Sequence, residues 1–223
     1  LCVLFVSQGK EQASHYRGNY RGTIEEKETR IKTLLWNIEG LKNAINMIPD
    51  DTFDTYDLVS LIETFLTSQW STDNFYSVHS YTRQGERGRL KGGITMLINS
   101  RLAPFETLLN TKNTLLVKTK LCTVMNVYFQ PEYKADEILE EIDHALSMTN
   151  DKGTVIIMGD LNCRVDAPTQ KTETVVNHIE KEGLILINDR KEKTYFGPMG
   201  PALLTSSSQT ATRPTRRYDE TFQ

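Results

Sequence analysis

The chain has 223 residues, a formal net charge of −3 and a pI near 5.9. This length is enough for one large domain with a substantial core, and 38% hydrophobic with 25% charged residues is typical of a soluble globular protein. The negative net charge excludes a global electrostatic field that attracts polyanions. Contact with a polyanion such as nucleic acid therefore requires a local basic patch. Three cysteines without metal-type spacing indicate a reduced, intracellular setting.

The first 29 residues are predicted to be a poorly defined leader. Leu1 to Val6 is apolar, but this run is too short to cross a membrane and has no basic region before it. It could be the tail of a signal sequence or the end of a lost strand. Residues 7–28 are polar and show no periodicity, which favours the leader, and no contact with a membrane is expected.

From residue 30 to 200 the pattern predicts one layered α/β domain, because strand-like and helix-like segments alternate. The strand candidates in chain order are Ile31–Trp36, Asp57–Ile62, Phe75–Tyr81, Ile94–Ile98, a hairpin pair Thr114–Lys120 and Cys122–Phe129, Val155–Met158, and Leu184–Ile187. The helix candidates are Ala135–Met148 and Val175–Glu182. Residues 201–223 begin with a run almost without apolar side chains, and we predict a disordered or frameshifted tail.

Polar side chains follow four of the predicted strands at the point where each strand ends. They are Asn37, Glu63, Tyr128, and the pair Asp160 and Asn162 in Gly159-Asp-Leu-Asn162. In open α/β sheets ligands bind at the carboxyl ends of strands, which favours an active site. The alternative is that Gly-Asp-Leu-Asn is only a turn and that each of the other residues is structural.

These residue types suit phosphate chemistry with a hard cation. Glu63 can bind Mg²⁺, which prefers carboxylates together with water and phosphate oxygens. Asp160 can deprotonate a water for in-line attack on phosphorus, and Asn162 can donate to a phosphate oxygen. Tyr128 can hydrogen-bond a phosphate or supply a proton. A cationic loop could hold a nucleic-acid backbone, although such loops are usually only solvated; its residues are Arg83, Arg87, Arg89 and Lys91.

Five motifs in order resemble the endonuclease/exonuclease/phosphatase superfamily, and most closely the AP-endonuclease-like domain of non-LTR retrotransposons and their domesticated relatives. The motifs are Leu34-Leu-Trp-Asn-Ile-Glu-Gly-Leu41, Leu58-Val-Ser-Leu-Ile-Glu-Thr-Phe-Leu66, Gly88-Arg-Leu-Lys-Gly-Gly-Ile94, Asn126-Val-Tyr-Phe-Gln-Pro131 and Gly159-Asp-Leu-Asn-Cys-Arg164. The resemblance implies a four-layer α/β sandwich, two packed β-sheets flanked by helices. It implies catalytic roles for Asn37, Tyr128, Asp160 and Asn162, and binding of Mg²⁺ or Mn²⁺ by Glu63 and Asn37.

The resemblance is incomplete at the C-terminus. The family pattern includes a Ser-x-Ile-Asp strand and a histidine-bearing turn, and this chain has neither, since its histidines are His15, His79, His144 and His178. Ala202–Thr210 can be encoded by codons that, read two bases later, give Ser-Ile-Asp-Leu-Val-Phe-Thr-Asn. We hypothesise that a frameshift after about Gly200 truncated the domain and impaired activity; sequencing the locus for an in-frame histidine motif tests this.

The resemblance implies a Mg²⁺-dependent endonuclease that nicks DNA, with DNA as its partner and the nucleus as its site of action. Two alternatives remain open. One is a catalytically inactive remnant or binding module with the same fold, and the other is a phosphomonoesterase or phosphoinositide phosphatase. The oligomeric state is not predicted.

Overall fold

The structure, a computed structural model, describes residues 2–7, 31–49, 51–84, 90–149, 153–163, 168–187 and 218–222. In chain order the strands are β1 (Cys2–Ser7), β2 (Ile31–Asn37), β3 (Leu58–Ile62), β4 (Phe75–Ser80), β5 (Arg83–Gln84), β6 (Leu90–Lys91), β7 (Ile94–Asn99), β8 (Phe105–Asn110), β9 (Thr114–Thr119), β10 (Cys122–Tyr128), β11 (Thr154–Asp160), β12 (Leu184–Leu186) and β13 (Tyr218–Phe222). The helices are α1 (Leu41–Ala44), α2 (Ala135–Ser147) and α3 (Gln170–Lys181), with 3-10 turns at Ile45–Met47 and Ser100–Leu102.

Within these ranges the strands form two large sheets and a small ribbon. The larger sheet has the order β12-β1-β11-β10-β9-β8, the second has the order β13-β2-β3-β7-β4, and β5 pairs with β6. Most neighbours are antiparallel, but β2 runs parallel to β3 and β10 runs parallel to β11. Each sheet therefore contains one parallel pair whose two strands end at the same edge.

The two sheets pack face to face, and their facing side chains form the central apolar core. Leu58, Ile62 and Met96 from the second sheet share this core with Val124 and Ile156 from the larger one. On the outer face of the larger sheet, α2 and α3 cover a separate apolar cluster, and α1 covers another on the outer face of the second sheet. Helix, sheet, sheet and helix make four layers, which confirms the predicted α/β sandwich.

Sequence periodicity predicts several elements well. The hairpin of β9 and β10 is confirmed as an antiparallel pair, and α2 lies within one residue of its predicted bounds. The helix expected from Val175 begins at Gln170 instead, because the Thr169 side chain accepts a hydrogen bond from the Thr172 backbone N–H and caps the helix earlier. Strand β8 was not predicted, since its side chains show no regular alternation of buried and exposed positions. Among the described helices, none is long and apolar enough to cross a bilayer.

Short strands lie at both ends of the described chain, within the segments predicted as leader and tail. Cys2–Ser7, predicted as part of a poorly defined leader, forms β1 between β11 and β12, while the rest of the leader lies outside the described residues. Tyr218–Phe222, predicted as part of the tail, pairs with β2. A run of four to six strand-prone residues is ambiguous in sequence, and these two runs are ordered only by strands far away in the chain.

Gly159 generates a prediction about the stability of the fold. Its φ is +145°, and a Cβ built at this position would lie 1.9 Å from the Val127 carbonyl oxygen on β10. Gly159→Ala is therefore expected to lower the free energy of unfolding by about 3–5 kcal/mol, from overpacking and backbone strain together. Urea denaturation measures this change.

The matched control is Gly153→Ala at the start of β11, where a Cβ would meet nothing within 4 Å. This variant should unfold within about 1 kcal/mol of the wild type. Equal stability of the two alanine variants would contradict the close approach of β10 and β11 at Gly159.

Candidate active site at the carboxyl edge of the sheets

The predicted site residues lie where the two parallel strand pairs end. Asn37, the last residue of β2, is in register with Ile62 of β3, and Glu63 follows directly. In the other sheet, Tyr128 and Asp160 are register partners and are the last residues of β10 and β11. The strand ends of the two sheets meet at one edge of the sandwich, since the Tyr128 and Glu63 side chains are in contact there.

A hydrogen bond joins the two sheets at this edge. The Tyr128 hydroxyl donates to Glu63 Oε1 at 2.8 Å, although the residues are 65 positions apart. Burial raises the pKa of the Tyr128 phenol, and the charge of Glu63 together with this hydrogen bond raises it further. The phenol is therefore a neutral donor at physiological pH, and it fixes one oxygen of the Glu63 carboxylate.

Asp160 and Asn162 form a compact turn beside Tyr128. The Asn162 backbone N–H donates to Asp160 Oδ1 at 2.8 Å, and Asn162 Nδ2 donates to the Phe129 carbonyl oxygen at 2.6 Å. Asp160 is 7% exposed. Burial raises the pKa of its carboxyl group, and the nearby charge of Glu63 adds to this, while the Asn162 N–H lowers it. The structure thus brings together all five predicted residues: Asn37, Glu63, Tyr128, Asp160 and Asn162.

Left-handed backbone is concentrated at this edge. Glu39, Glu63, Phe65 and Asn162 have φ between +48° and +54°, and the remaining described non-glycine residue with positive φ is Asn74. Such conformations cost about 1–3 kcal/mol each and persist only where surrounding contacts impose them. Here the Asn37 Oδ1 atom accepts the Glu39 N–H at 3.2 Å, and the Glu63 carbonyl accepts the Gly40 N–H at 2.8 Å.

The glycine pair noted in the sequence lets the β6–β7 connection approach the site closely. A Cβ at Gly92 would lie 3.6 Å from Tyr128 Cε1, and one at Gly93 would lie 2.7 Å from Thr64 Oγ1. Both glycines have positive φ. Their carbonyl oxygens accept the backbone N–H groups of Thr64 and Phe65 at 3.2 Å, so they also hold the loop that follows Glu63.

A supporting network behind Tyr128 was not predicted from the sequence. The Asn113 carbonyl accepts the Tyr128 backbone N–H at 2.8 Å. The Asn113 amide in turn donates to the Tyr133 hydroxyl at 3.1 Å and to Glu141 Oε2 at 2.9 Å. These residues come from the β8–β9 turn, a loop and α2, and no local pattern in the sequence connects them.

The predicted cationic residues are only partly within the described chain. Arg83 and Lys91 are register partners in the ribbon of β5 and β6, next to the glycine pair. Arg87 and Arg89 lie outside the described residues. The Lys91 side chain is exposed.

The described histidines do not join the predicted site. His79 is buried and bonds the Thr95 hydroxyl and the Trp70 carbonyl. His144 is exposed on α2, and His178 on α3 contacts Asp143. His15 lies outside the described residues. In the described part of the chain no cluster of three or more histidine, cysteine or acidic side chains forms a metal site.

Burial of Asp160 generates a prediction about stability. Its pKa in the folded protein lies above the ordinary value of 3.8, so the folded state binds the proton more tightly than the unfolded state does. The ionised carboxylate therefore costs stability at neutral pH, and this cost disappears as the pH falls through the folded pKa. Asp160→Asn should raise the melting temperature at neutral pH in EDTA, and the difference should shrink toward about pH 4.

The control is Asp73→Asn, which removes an exposed carboxylate outside the site and should leave the melting temperature nearly unchanged. A lower melting temperature for Asp160→Asn at neutral pH would show that the ionised group stabilises the fold.

Comparison with known proteins agrees with this architecture. No protein-family model and no curated protein sequence matches the chain. Among solved structures, the endonuclease domain of TRAS1, a telomere-specific non-LTR retrotransposon, superposes with a TM-score of 0.55 at 16% identity, over 73% of this chain and 77% of that one.

Two further structures are more distant. A 3′ phosphatase, NExo from Neisseria bound to a product DNA hairpin, has a TM-score of 0.49 at 16% identity, over 67% of this chain and 70% of that one. A 3′-5′ exonuclease, NExo from Neisseria meningitidis, has a TM-score of 0.49 at 15% identity, over 67% and 71%. The architecture and its similarity to the TRAS1 domain show that this chain shares the fold of that endonuclease domain.

Proposed function

We propose that this chain is a phosphodiester hydrolase of the endonuclease type, which uses Mg²⁺ or Mn²⁺ to nick DNA. The observation that carries the proposal is the hydrogen bond between Tyr128 and Glu63, because it joins the polar strand ends of both sheets. Asp160 is the register partner of Tyr128, so a carboxylate from each sheet lies beside the same phenol. The structural similarity to a retrotransposon endonuclease domain supports DNA as the substrate.

Glu63 and Asn37 fit a site for a hard divalent cation. Mg²⁺ is usually held by one or two carboxylates, with water and substrate phosphate completing its oxygen ligands. Glu63 is half-buried at the edge, and Asn37 adds an amide oxygen from the neighbouring strand end. When bound there, the cation would stabilise negative charge on the phosphate oxygens.

Asp160, Asn162 and Tyr128 have the remaining catalytic roles. Asp160 is the base that takes a proton from the attacking water, whose oxygen forms the new bond to phosphorus while the bond to the leaving sugar oxygen breaks. Asn162 is held by Phe129, and its second amide hydrogen can donate to a phosphate oxygen as charge develops. Tyr128 orients Glu63 and remains protonated, so it acts as a donor and not as a base.

The second candidate is a non-catalytic protein with the same fold, and one observation favours it. Protonation of the leaving oxygen needs an acid, and the described histidines are exposed, paired with Asp143 or buried against Trp70 and Thr95. Without an acid at the leaving oxygen, the domain would bind DNA with little turnover.

Nicking of supercoiled plasmid distinguishes the enzyme from the non-catalytic protein. We expect wild-type protein with Mg²⁺ to convert it to the nicked form, and Asp160→Asn to slow this by at least about 100-fold, because the general base is lost. Agarose electrophoresis over time gives the rates, and analysis of the nicked ends shows which phosphorus–oxygen bond was cut.

Asp73→Asn is the matched control, and its rate should equal that of the wild type. Nicking that persists in Asp160→Asn would contradict the role of Asp160 as the base, and nicking that also persists in Glu63→Gln without a changed Mg²⁺ requirement would indicate a contaminant. Binding of DNA without nicking would support the non-catalytic candidate, and release of phosphate from a monoester substrate in place of nicking would support a phosphatase.

The role of Glu63 as a cation ligand can be tested through the Mg²⁺ requirement. Glu63→Gln keeps an oxygen for the Tyr128 hydroxyl but removes the negative charge, so the Mg²⁺ concentration for half-maximal nicking should rise at least about tenfold. A Mg²⁺ titration of the nicking rate measures this. Glu106→Gln, an exposed change on the edge strand β8, is the control. An unchanged Mg²⁺ requirement would exclude Glu63 as a ligand.

A further inference from the structure

An aromatic platform lies beside the candidate active site. Tyr81 follows β4 and is 43% exposed, and its ring stacks on the His79 ring with centroids 5.6 Å apart and planes inclined by 24°. His79 is buried and held on both ring nitrogens, by the Trp70 carbonyl at 2.7 Å and the Thr95 hydroxyl at 2.9 Å. The Tyr81 ring therefore rests on a fixed support while part of its surface faces solvent.

The platform lies at the same edge as Glu63. Strands β3, β7 and β4 are neighbours whose last register partners are Ile62, Ile94 and Ser80, and Glu63 and Tyr81 are the next residues of β3 and β4. With strands about 4.8 Å apart, the backbones of Tyr81 and Glu63 are separated by about 10 Å. The next residue, Thr82, donates its N–H to the Leu66 carbonyl at 2.9 Å, so the platform and the loop after Glu63 are directly connected.

The platform also adjoins the ribbon of β5 and β6, which carries Arg83 and Lys91. Arg83 follows Tyr81 by two residues and is the register partner of Lys91. The Thr82 hydroxyl donates to the Lys91 carbonyl, which ties the ribbon to the platform. The ribbon backbone at Lys91 is therefore in direct contact with the residue that follows Tyr81.

A flat aromatic ring beside cationic residues fits a nucleobase that has left the base stack. Every base has a π face, and base–aromatic stacking is a common mode of binding to unpaired nucleotides. Burial lowers the pKa of His79 against the effect of its hydrogen bond to Trp70, so the support is uncharged at neutral pH. A nucleobase would therefore bind the platform by stacking and not by attraction to a charged group.

Tyr76 provides a contrast on the same strand. It is 48% exposed, but it lies at the opposite end of β4, in register with Ile98, and its ring contacts Phe105 at 5.3 Å. The two tyrosines are similarly exposed and differ mainly in their distance from the site edge. Exposure by itself does not distinguish Tyr81, whereas its position beside Glu63 and the ribbon does.

We propose that Tyr81, supported by His79, stacks on an unpaired nucleobase next to the phosphodiester that is cut, so that the protein prefers DNA with an unpaired nucleotide. This inference rests on the proposed function and names the substrate class of that site. An unpaired base costs little to unstack, whereas a paired base must first be extruded from the duplex. Tyr81 is thus a specificity-determining residue.

The test measures DNA binding by the full chain, with Ca²⁺ replacing Mg²⁺ to suppress cleavage. Fluorescence anisotropy compares a fully paired duplex with one of the same length that contains a single unpaired nucleotide. Wild-type protein should bind the second more tightly by about 5-fold or more, and Tyr81→Ala and Tyr81→Leu should bind both alike. Tyr81→Phe should retain the preference, since it keeps the ring, and Tyr76→Ala should behave as wild type.

Salt dependence separates stacking from phosphate contact. The slope of log K against log salt should be unchanged in Tyr81→Ala and reduced by about 0.9 in Lys91→Ala, which removes a phosphate contact. Tyr81→Leu retains an apolar side chain, so loss of preference in this variant, with an unchanged melting temperature, identifies the ring itself and not local packing.

The inference is overturned if wild-type protein shows no preference, or if the preference survives in Tyr81→Ala or in Tyr81→Leu. The proposed function fails separately, when wild-type protein does not nick plasmid with Mg²⁺. Because binding is measured without cleavage, loss of nicking leaves the comparison of the two duplexes intact.

Discussion

The hydrogen bond from the Tyr128 hydroxyl to Glu63 links the two sheets at the edge where their parallel pairs end, in addition to the apolar packing between the sheets. Each sheet contains one parallel pair, and the carboxyl ends of a parallel pair necessarily reach the same edge. The sheets pack with these two edges on the same side of the sandwich, where Tyr128 contacts Glu63. The acid and phenol meet because of this topology, and the hydrogen bond holds them at contact distance.

Conformational strain and close backbone approach are concentrated at the same edge. Four non-glycine residues with left-handed backbone lie there, and two glycines permit contacts that a Cβ would obstruct. Gly159 brings β11 against β10, and Gly93 lies against Thr64. A fold selected for stability alone would not collect such features in one place, since each costs free energy that must be offset elsewhere. Their coincidence with the polar strand ends is what a preformed site requires.

The position of Asp160 depends on both halves of the chain. Strand β11 has β10 on one side and β1 on the other, and Asp160 is in register with Tyr128 and with Cys2. Strand β1 pairs only with β11 and β12 in the described structure, although it is far from both in sequence. The order of the larger sheet thus makes the N-terminal strand a neighbour of the candidate base.

The sequence by itself determined the local elements and the residue types of the site. Alternation and apolar runs predict β2, β9, β10 and α2 because burial on one face imposes a period on the residues, and glycine, acid and amide at strand ends indicate chemistry without any knowledge of contacts. Only the tertiary structure decided which residues meet. The pairing of Glu63 with Tyr128, the Asn113 network and the Tyr81–His79 stack join residues through space. The strands at the two ends of the described chain were equally beyond local pattern, because a short apolar or aromatic run becomes a strand only when a distant edge supplies its hydrogen bonds.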